Sequence, residues 1–297
     1  MIMTPHVAKD GIVRLPDGRQ LGYAESGASD GFPVLFVPGY GHSRLACGDV
    51  TASTRVGVRV ISVDLPGIGV SDRAPGYTLQ SWVDDLAALL EDLGVDRCSV
   101  AGWSWGAPYA LASAMRLPKR IATIGVISGL TGWLAGPGAV REVRPEFRTF
   151  ATWCRHLRPA ARAFTAFQAR GFRADPDGTV RKEAGTTGGD DAEVAADAGV
   201  LAMLVASAHE VWDRGGAGTY DHSLAVTQPW GFDVADVGTH VEIWHGSDDR
   251  EIHPAMAAAA VRLLPDASLH LVEGRGHLLV FAEWGPILES LMPSTVR

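Results

Sequence analysis

The chain has 297 residues, of which 46% are hydrophobic and 20% are charged, and its formal net charge is −8. These values are ordinary for a globular protein with a large core, and no stretch approaches the roughly 18–20 consecutive apolar residues of a membrane span. The acidic residues are scattered and a nucleic-acid partner would require a clustered basic face, so we expect neither a nucleic-acid nor a membrane partner.

The N-terminal region has the pattern of a β-hairpin. A Pro-Asp-Gly-Arg turn sequence at 16–19 separates two short strand-forming runs at 12–15 and 21–24. Continuous apolar runs follow at 34–37 and 58–63. Such runs are typical of strands that are buried on both faces of a sheet.

Helices alternate with further buried strands in the rest of the chain. Apolar residues recur at helical spacing over 79–93, and Gly94 then provides a C-terminal stop. A weaker helical pattern covers 44–56. The other segments are strands at 98–101, 121–127, 241–244 and 268–272, and helices at 107–115, 254–264 and 277–291. This alternation predicts an α/β fold with a mostly parallel twisted sheet that is flanked by helices.

The most informative motif is Gly-Trp-Ser-Trp-Gly at 102–106, between the strand at 98–101 and the helix at 107–115. A G-x-S-x-G sequence in this context is the signature of a nucleophile elbow, a turn that exposes its serine at the carboxyl end of the sheet. Glycines at both ends allow the close backbone approach that the turn requires. Ser104 is therefore the candidate nucleophile, and the simpler interpretation is a serine in a glycine-rich turn.

A long segment, 132–236, interrupts the alternation, because its apolar spacing is helical and it contains no clear strand. The expected elements within it are helices at 147–154, 160–167 and 194–212, and a mobile loop from 173 to 190. Such an insertion predicts a helical cap, or lid, over a core formed by residues 1–131 and 237–297. We expect its Trp133 and Trp212, together with Tyr40 and Trp105, to contact the substrate.

Residues 37–42, Val-Pro-Gly-Tyr-Gly-His, follow the first long buried strand. Their glycines allow backbone N–H groups to point toward Ser104, and we expect the N–H groups of Tyr40 and Trp105 to form an oxyanion hole. A glycine-rich turn without a ligand is the alternative. We do not assign His42 as a base, because a histidine at this position is more often a loop residue.

A candidate acid and a candidate base follow two later strands. Asp248 and Asp249 come after the strand at 241–244, and His277 comes after the strand at 268–272. The carboxyl ends of parallel strands meet at one edge of a sheet, so these side chains are expected near Ser104. The order Ser–Asp–His along the chain is that of α/β-hydrolases. A carboxylate that caps the next helix and a histidine at a helix start are the simpler interpretations.

Together these motifs resemble the α/β-hydrolase superfamily over nearly the whole chain, and in particular its cap-bearing bacterial serine hydrolases. Residues 64–72 resemble a D-x-P-G-x-G-x-S-D stretch, and residues 245–254 resemble an H-G-x-x-D-x-x-V-x-P stretch of these proteins. The second likeness implies that Asp249 is the acid. Two positions depart from the pattern. Pro38 replaces a histidine, and Trp105 replaces a smaller residue, which predicts a pocket crowded by the indole.

The motifs predict a serine hydrolase that cleaves a small, largely apolar carboxylic ester, lactone or thioester. In this hypothesis Ser104 attacks the carbonyl, His277 transfers the proton and Asp249 orients the imidazole. No cofactor is expected. No metal site is expected either, because no pair of histidines or cysteines has ligand spacing apart from the loosely spaced His245 and His253.

Other functions stay open. The same fold and triad serve lyases, cyclases and acyl transferases, and some members bind ligands as receptors with little turnover. Aspartate-dependent dehalogenation or epoxide opening is disfavoured, because residue 104 is a serine. An aminopeptidase would need carboxylates in the cap to hold the amine of its substrate. The candidates for that purpose are Glu142, Glu146, Glu183, Glu193 and Glu210.

The cysteines and the N-terminus indicate the compartment. Cys47, Cys98 and Cys154 are odd in number and far apart, which favours a reducing environment over a disulfide framework. Residues 1–10 lack the basic and apolar regions of a secretory signal. We therefore expect a cytoplasmic protein.

Overall fold

The computed structural model describes residues 9–131 and 144–293. The strands within them are β1 (Lys9–Arg14), β2 (Gln20–Gly27), β3 (Phe32–Val37), β4 (Val58–Val63), β5 (Cys98–Trp103), β6 (Ile121–Ile127), β7 (Val241–Gly246) and β8 (Ala267–Val272). They form one sheet in the order β1-β2-β4-β3-β5-β6-β7-β8. Strands β3 to β8 are parallel, whereas β1 and β2 are antiparallel to their neighbours. The predicted hairpin and mostly parallel sheet are confirmed.

The burial of the strands explains why their sequences are apolar without alternation. Every residue of β5 and β7 is buried, and Val34, Val60 and Ile124 have no exposed area. A strand that is covered on both faces requires such a run. The edge strand β8 instead alternates between exposed and partly buried residues. The sheet and the helices against it form one apolar core.

The helices fall into three groups along the chain: before β6, between β6 and β7, and after β7. Before β6 come α1 (Val50–Val56), α2 (Leu79–Asp92) and α3 (Ala107–Arg116). Between β6 and β7 come α4 (Pro145–His156), α5 (Arg158–Ala174), α6 (Pro176–Thr187), α7 (Asp191–Val194), α8 (Ala198–Trp212) and α9 (Ala217–Thr227), which we call the helical insertion. After β7 come α10 (Ala255–Leu263), α11 (Leu279–Ala282) and α12 (Trp284–Leu291). None of the described helices combines the length and apolarity needed to cross a bilayer.

The expected loop from 173 to 190 is wrong, because most of it is helix α6. The side chain of Asp175 caps this helix by accepting a hydrogen bond from the Gly178 N–H at 3.0 Å, and Pro176 occupies the first turn. An Asp-Pro pair therefore starts a helix here instead of a turn, as capping preferences allow. Helix α6 ends before Gly188, where φ is 103°.

Two predicted helices also differ in extent. The helix expected from residue 44 begins at Val50, because the Asp49 side chain caps it by accepting from the Thr51 N–H at 2.8 Å. The helix expected over 277–291 is divided into α11 and α12. The division lies at Glu283, whose φ of −110° and ψ of 21° depart from helical values.

The motif at 64–72 has a structural role in the described chain. The carboxylate of Asp64 is buried and accepts hydrogen bonds from the backbone N–H groups of Arg44 at 2.7 Å and Val70 at 2.9 Å. The Arg44 guanidinium also donates to this carboxylate, and it reaches Glu210 of α8 at 2.7 Å. Asp64 thus joins the loops that follow β3 and β4.

Candidate active site

Ser104 occupies a strained turn between β5 and α3. Its φ is 56°, in the left-handed region that residues with a Cβ rarely adopt. This conformation costs roughly 1–2 kcal/mol for a residue other than glycine. A single 3₁₀ turn, Ser104–Gly106, leads directly into α3. The serine side chain is consequently held at the carboxyl end of the parallel sheet, as the elbow motif predicted.

The two glycines of the motif are required by close backbone packing. A Cβ on Gly102 would lie 2.3 Å from the carbonyl oxygen of Gly106. A Cβ on Gly106 would lie 2.2 Å from the carbonyl oxygen of Val37. Neither neighbour can move away, because both atoms belong to the backbone. The turn therefore tolerates no side chain at either position.

Ser104, His277 and Asp249 form a continuous hydrogen-bonded chain. The Ser104 Oγ lies 2.9 Å from the Nε2 of His277, and the Nδ1 of His277 lies 2.9 Å from the Oδ2 of Asp249. All three residues are buried. They come from the carboxyl ends of β5, β8 and β7, respectively. The structure thus brings together the three side chains that the motifs selected.

Asp249, and not Asp248, contacts the imidazole of His277. The Oδ1 of Asp249 accepts hydrogen bonds from the N–H groups of Glu251 at 2.8 Å and Ile252 at 3.0 Å, which leaves its Oδ2 for His277. Asp248 is exposed, and its carboxylate accepts a hydrogen bond from the Ser247 hydroxyl. Successive side chains diverge, so only one of the two aspartates reaches the imidazole.

Charge and burial act against each other in the Asp249–His277 pair. Burial disfavours the charged carboxylate, but the neighbouring His277 and the hydrogen bonds outweigh it and hold the pKa of Asp249 below its usual range. Burial also lowers the pKa of His277, but the Asp249 carboxylate outweighs this and raises that pKa above its usual value of 6.5. Asp249 is therefore ionised at neutral pH and stabilises a protonated imidazole.

His42 does not contact the serine. Its Nδ1 lies 3.2 Å from the Ser207 hydroxyl, and burial lowers the pKa of its imidazole to about 4. His42 is therefore neutral at physiological pH and packs against Trp103 with ring centroids 5.3 Å apart. The imidazole that contacts Ser104 is therefore that of His277, whereas His42 contacts Ser207.

The loop after β3 passes directly beside Ser104. A Cβ on Gly39 would lie 3.1 Å from the Cβ of Ser104, which is tighter than an ordinary contact, so a larger residue there would displace its neighbours by a few tenths of an ångström. The Tyr40 side chain turns away from the loop and donates a hydrogen bond from its hydroxyl to the Oε1 of Gln168 at 2.6 Å. The backbone at Gly39 thus borders the Ser104 side chain.

A cavity of about 530 Å³ opens at Ser104 and His277. Its walls come from the loop after β3, from helices α4, α5, α6 and α8 of the helical insertion, and from the loops after β7 and β8. The apolar side chains that line it include Phe147, Phe150, Phe164, Phe167, Phe172, Val180, Leu204 and Leu278. An apolar pocket with a few converging polar groups is the usual form of a small-molecule site.

Of the four residues expected to contact a substrate, Tyr40 lines this cavity. Trp105 and Trp212 are buried behind it, with ring centroids 5.0 Å and 5.9 Å from the Tyr40 ring, and they do not contribute to the described cavity wall. The Tyr40 ring therefore covers the Trp105 indole that we expected to crowd the pocket. Trp133 lies outside the described residues.

Two side chains at the site were not predicted from sequence. The indole Nε1 of Trp103, a variable position of the elbow motif, donates to the carbonyl oxygen of His277 at 3.1 Å. Glu251 lines the cavity and accepts a hydrogen bond from Arg144 at 2.6 Å. Neither role has a signature in sequence, because each contact joins segments that are more than a hundred residues apart.

The carboxylates considered for binding an amine are distributed unequally. Glu146 and Glu183 line the cavity, whereas Glu210 pairs with Arg44. Glu193 is exposed on α7 and is not part of the described wall. Glu142 lies outside the described residues. Glu183 retains access to the cavity, but the surrounding protein and the charge of Glu251 raise its pKa to about 7.

Within residues 9–131 and 144–293, no group of three or more His, Cys, Asp or Glu side chains is arranged to hold a metal ion. The pair that we noted from its spacing, His245 and His253, has other contacts. The Nε2 of His245 donates to the carbonyl oxygen of Ile252 at 2.8 Å, and the Nδ1 of His253 accepts from the Ala255 N–H at 3.2 Å.

Characterised proteins with related sequences include hydrolases of several kinds. The chain is 29% identical over 245 residues to a pimeloyl-[acyl-carrier protein] methyl ester esterase of Aromatoleum aromaticum, covering 82% of this chain and 90% of the relative. It is 30% identical over 164 residues to a proline iminopeptidase of Neisseria gonorrhoeae. That second match covers 51% of this chain and spans about half, 50%, of the iminopeptidase.

Solved structures of the same fold cover almost the whole chain. A thermophilic esterase from Thermogutta terrifontis superposes with a TM-score of 0.67 at 20% identity, covering 95% of this chain and 96% of the esterase. A bromoperoxidase from Bacillus anthracis superposes with a TM-score of 0.68 at 19% identity, covering 95% and 97%. Residues 34–287 match the sequence model of the Alpha/beta hydrolase family. With the sheet order and the elbow described above, the chain belongs to the alpha/beta hydrolase family.

Proposed function

We propose that the protein is a serine hydrolase that cleaves a small, largely apolar carboxylic ester, lactone or thioester through an acyl-enzyme intermediate. The observation that carries this proposal is the hydrogen-bonded chain from Ser104 through His277 to Asp249, which opens into a cavity lined by phenylalanines. The similarity to a methyl ester esterase over 82% of the chain supports the ester as the substrate class.

The reaction follows from this geometry. Ser104 Oγ attacks the carbonyl carbon while the Nε2 of His277 removes its proton, and the ionised Asp249 stabilises the imidazolium that forms. The N–H groups of Tyr40 and Trp105 donate to the oxyanion of the tetrahedral intermediate. His277 then protonates the leaving alcohol or thiol. In the second half of the reaction His277 removes a proton from water, the water attacks the acyl-enzyme carbonyl, and His277 returns the proton to Ser104 Oγ as the acid is released. No cofactor takes part.

The helical insertion acts as a cap in this proposal. Residues 1–131 and 237–297 form the core that carries the three reacting side chains, and 132–236 form the cap. Helices α4, α5 and α6 supply most of the apolar cavity wall, so they determine which acyl and alcohol groups are accommodated.

Covalent labelling tests the role of the serine directly. A fluorophosphonate probe is expected to modify the folded protein at Ser104, because the neighbouring imidazole activates that hydroxyl. Peptide mass spectrometry identifies the modified residue, and heat-denatured protein is the control for nonspecific reaction. Modification of a different serine, or none under native conditions, would refute the proposed nucleophile. Labelling without hydrolysis of any ester in a broad panel would favour transferase, lyase or receptor functions.

The pH dependence of ester hydrolysis is expected to report on His277. The base must be neutral to accept the serine proton, so activity should increase as pH rises through the pKa of His277. Since Asp249 raises that pKa, the midpoint of the acid limb of kcat/KM should lie above pH 6.5. Initial rates between pH 5 and 11 with one activated ester, corrected for spontaneous hydrolysis, measure it, because the pKa of His277 is raised to about 9. A midpoint below 6.5 would contradict the assigned electrostatics.

A second candidate function is the hydrolysis of the amide bond that joins an N-terminal amino acid to a peptide or to another amine. The carboxylates of Glu146, Glu183 and Glu251 line the cavity, and Arg144 pairs with Glu251 at 2.6 Å and with Glu146 at 3.7 Å. Glu183 makes no comparable pair among the described residues. A substrate ammonium beside it would favour its ionised form and gain a charge-assisted hydrogen bond. The similarity to a proline iminopeptidase supports this candidate.

Glu183→Gln distinguishes the two candidates. If the carboxylate binds an amine, this change should raise KM for an aminoacyl arylamide about 10-fold, the value of one charged hydrogen bond. It should leave the KM of a neutral ester unchanged. Glu193→Gln, at an exposed glutamate of the same insertion, is the control. If the wild type does not hydrolyse aminoacyl arylamides, or if the two variants behave alike, the second candidate is rejected.

A further inference from the structure

Residues 187–191 of the helical insertion lie between the loop that carries Asp249 and the loop that carries His277. We call them the 187–191 segment. It consists of the last residue of α6, two glycines, and Asp190 and Asp191 at the start of α7. Most of this segment was predicted to be a loop, and it has no role in the hydrolysis mechanism proposed above. Its contacts are nevertheless made to both of the loops that hold the acid and the base.

On the side of the base, Asp191 holds the backbone of His277. The backbone N–H groups of His277 and Leu278 each donate to the Asp191 carboxylate, both at 2.7 Å. Asp191 has no exposed area, so no water competes for these bonds. A Cβ on Gly276 would lie 2.5 Å from the Cγ of Asp191, so the approach requires a glycine there. The His277 carbonyl is held by the Trp103 indole.

On the side of the acid, the segment is anchored through backbone contacts. The N–H of Arg250, which follows Asp249, donates to the carbonyl oxygen of Thr187 at 2.7 Å. A Cβ on Gly188 would lie 2.1 Å from the carbonyl oxygen of Asp248. Gly188 has a φ of 103°, a backbone conformation that favours glycine. The two loops are thus held against a single short segment of the insertion.

We propose that Asp191 is a positioning residue for the Ser104–His277–Asp249 chain, and that it acts by fixing the backbone from which the His277 imidazole projects. This inference rests on the proposed serine hydrolase function. The imidazole must reach Ser104 and Asp249 at the same time, each at 2.9 Å, and a displacement of its backbone would lengthen both bonds. A misplacement of about 1 Å can cost about 100-fold in rate.

Asp191 also belongs to the charged surroundings of the imidazole. The acidic groups that face His277 are Asp249, Glu251 and Asp191, and each raises the pKa of its imidazole. His42, a further titratable group near His277, is neutral in this pH range, because burial and the charge of His277 lower the pKa of its imidazole to about 4. Removal of the Asp191 charge should therefore shift the acid limb of the activity profile to lower pH. A residue that only supports the fold would not produce this shift.

Asp191→Asn is the test, and Asp197→Asn is its matched control. Asparagine keeps one acceptor for the two N–H groups but directs an NH₂ group at the other. Asp197 also accepts two backbone N–H groups, those of Gly199 and Val200, at the start of α8 and away from the site. The Asp191 bonds use both carboxylate oxygens, so Asp191→Asn should lose thermal stability. Both bonds to Asp197 use its Oδ1, which asparagine keeps, so Asp197→Asn should lose little. Only Asp191→Asn should lower kcat and the rate of fluorophosphonate labelling at Ser104, by about 100-fold with little change in KM.

Proton NMR gives a readout that does not depend on turnover. The proton shared by His277 Nδ1 and Asp249 should give a strongly downfield signal in the wild type and in Asp197→Asn, and should lose it in Asp191→Asn. Equal labelling rates, pH profiles and downfield signals in the two variants would overturn the positioning role. If wild-type Ser104 is not labelled but the signal depends on Asp191, the hydrolase function fails and the positioning role holds. Should Asp191→Asn not fold, Asp191→Ser, with a smaller acceptor, replaces it.

Discussion

Replacement of Ser104 by alanine will lower kcat for ester hydrolysis by about 10⁶-fold, the magnitude known for loss of the nucleophile in a serine protease. The Oγ is the only atom removed, and it is the atom that the Nε2 of His277 contacts at 2.9 Å. Stability should change little, because serine and alanine carry the same Cβ at the strained φ of 56°. Burst kinetics on an activated ester and thermal melts measure the two effects.

Ser128 provides a closely matched control for this substitution. It is the other non-glycine residue with a positive φ among those described, at 43°, and it has no exposed area. Its Oγ has no hydrogen-bond partner within the described residues. Ser128→Ala should therefore retain full activity. If Ser104→Ala and Ser128→Ala lowered kcat to a similar extent, the loss would arise from the strained backbone that the two serines share. That result would contradict the assignment of Ser104 as the nucleophile.

Asp249→Asn will lower kcat by about 10⁴-fold, the value for the same change in a serine protease. The asparagine Oδ1 can keep the hydrogen bonds from the N–H groups of Glu251 and Ile252, so the loop should retain its shape. Its NH₂ group then faces the Nδ1 of His277. That nitrogen must accept, which leaves the proton on Nε2, where the serine proton has to be received. The imidazolium also loses its counter-charge.

The control for this second change is the adjacent residue. Asp248 is exposed and contacts Ser247, so Asp248→Asn should stay within about tenfold of wild-type kcat. Both variants are assayed with one ester, and melting temperatures exclude misfolding. The acid limb of the Asp249 variant should also move to lower pH. If Asp248→Asn lost activity and Asp249→Asn retained it, the acid would be Asp248, and our assignment of Asp249 would be wrong.

The elements and site residues that could be predicted from sequence are those with local signals. The strands at 58–63 and 121–127 were predicted to the residue, because a continuous apolar run between turn residues has one interpretation inside a parallel sheet. Ser104 and His277 were likewise selected by motifs that each follow a strand, and their side chains lie 2.9 Å apart. Asp249 needed a likeness to related proteins, since geometry along one strand does not distinguish two adjacent aspartates.

The remaining features depend on contacts between distant segments. The Asp175–Pro176 pair is compatible with both a turn and the start of a helix. In the structure it starts helix α6, which packs over the cavity. The positions of Trp105 and Trp212 behind Tyr40 follow from ring contacts across the insertion and the core. Asp191 meets His277 across 86 positions of sequence. No pattern in a single chain reports such a contact.

The arrangement of α6 and the 187–191 segment limits how the specificity of this protein can be altered. The helix that lines the cavity with Thr179, Val180 and Glu183 ends at the residues that touch both loops of the site. In the proposed mechanism the insertion is therefore not an interchangeable module, since a chimera that exchanged it whole would also exchange Asp191, the residue proposed to hold the backbone of the base. Natural or laboratory variation in substrate range has more freedom on α4 and α5, which contribute Phe147, Phe150 and Phe164 to the cavity.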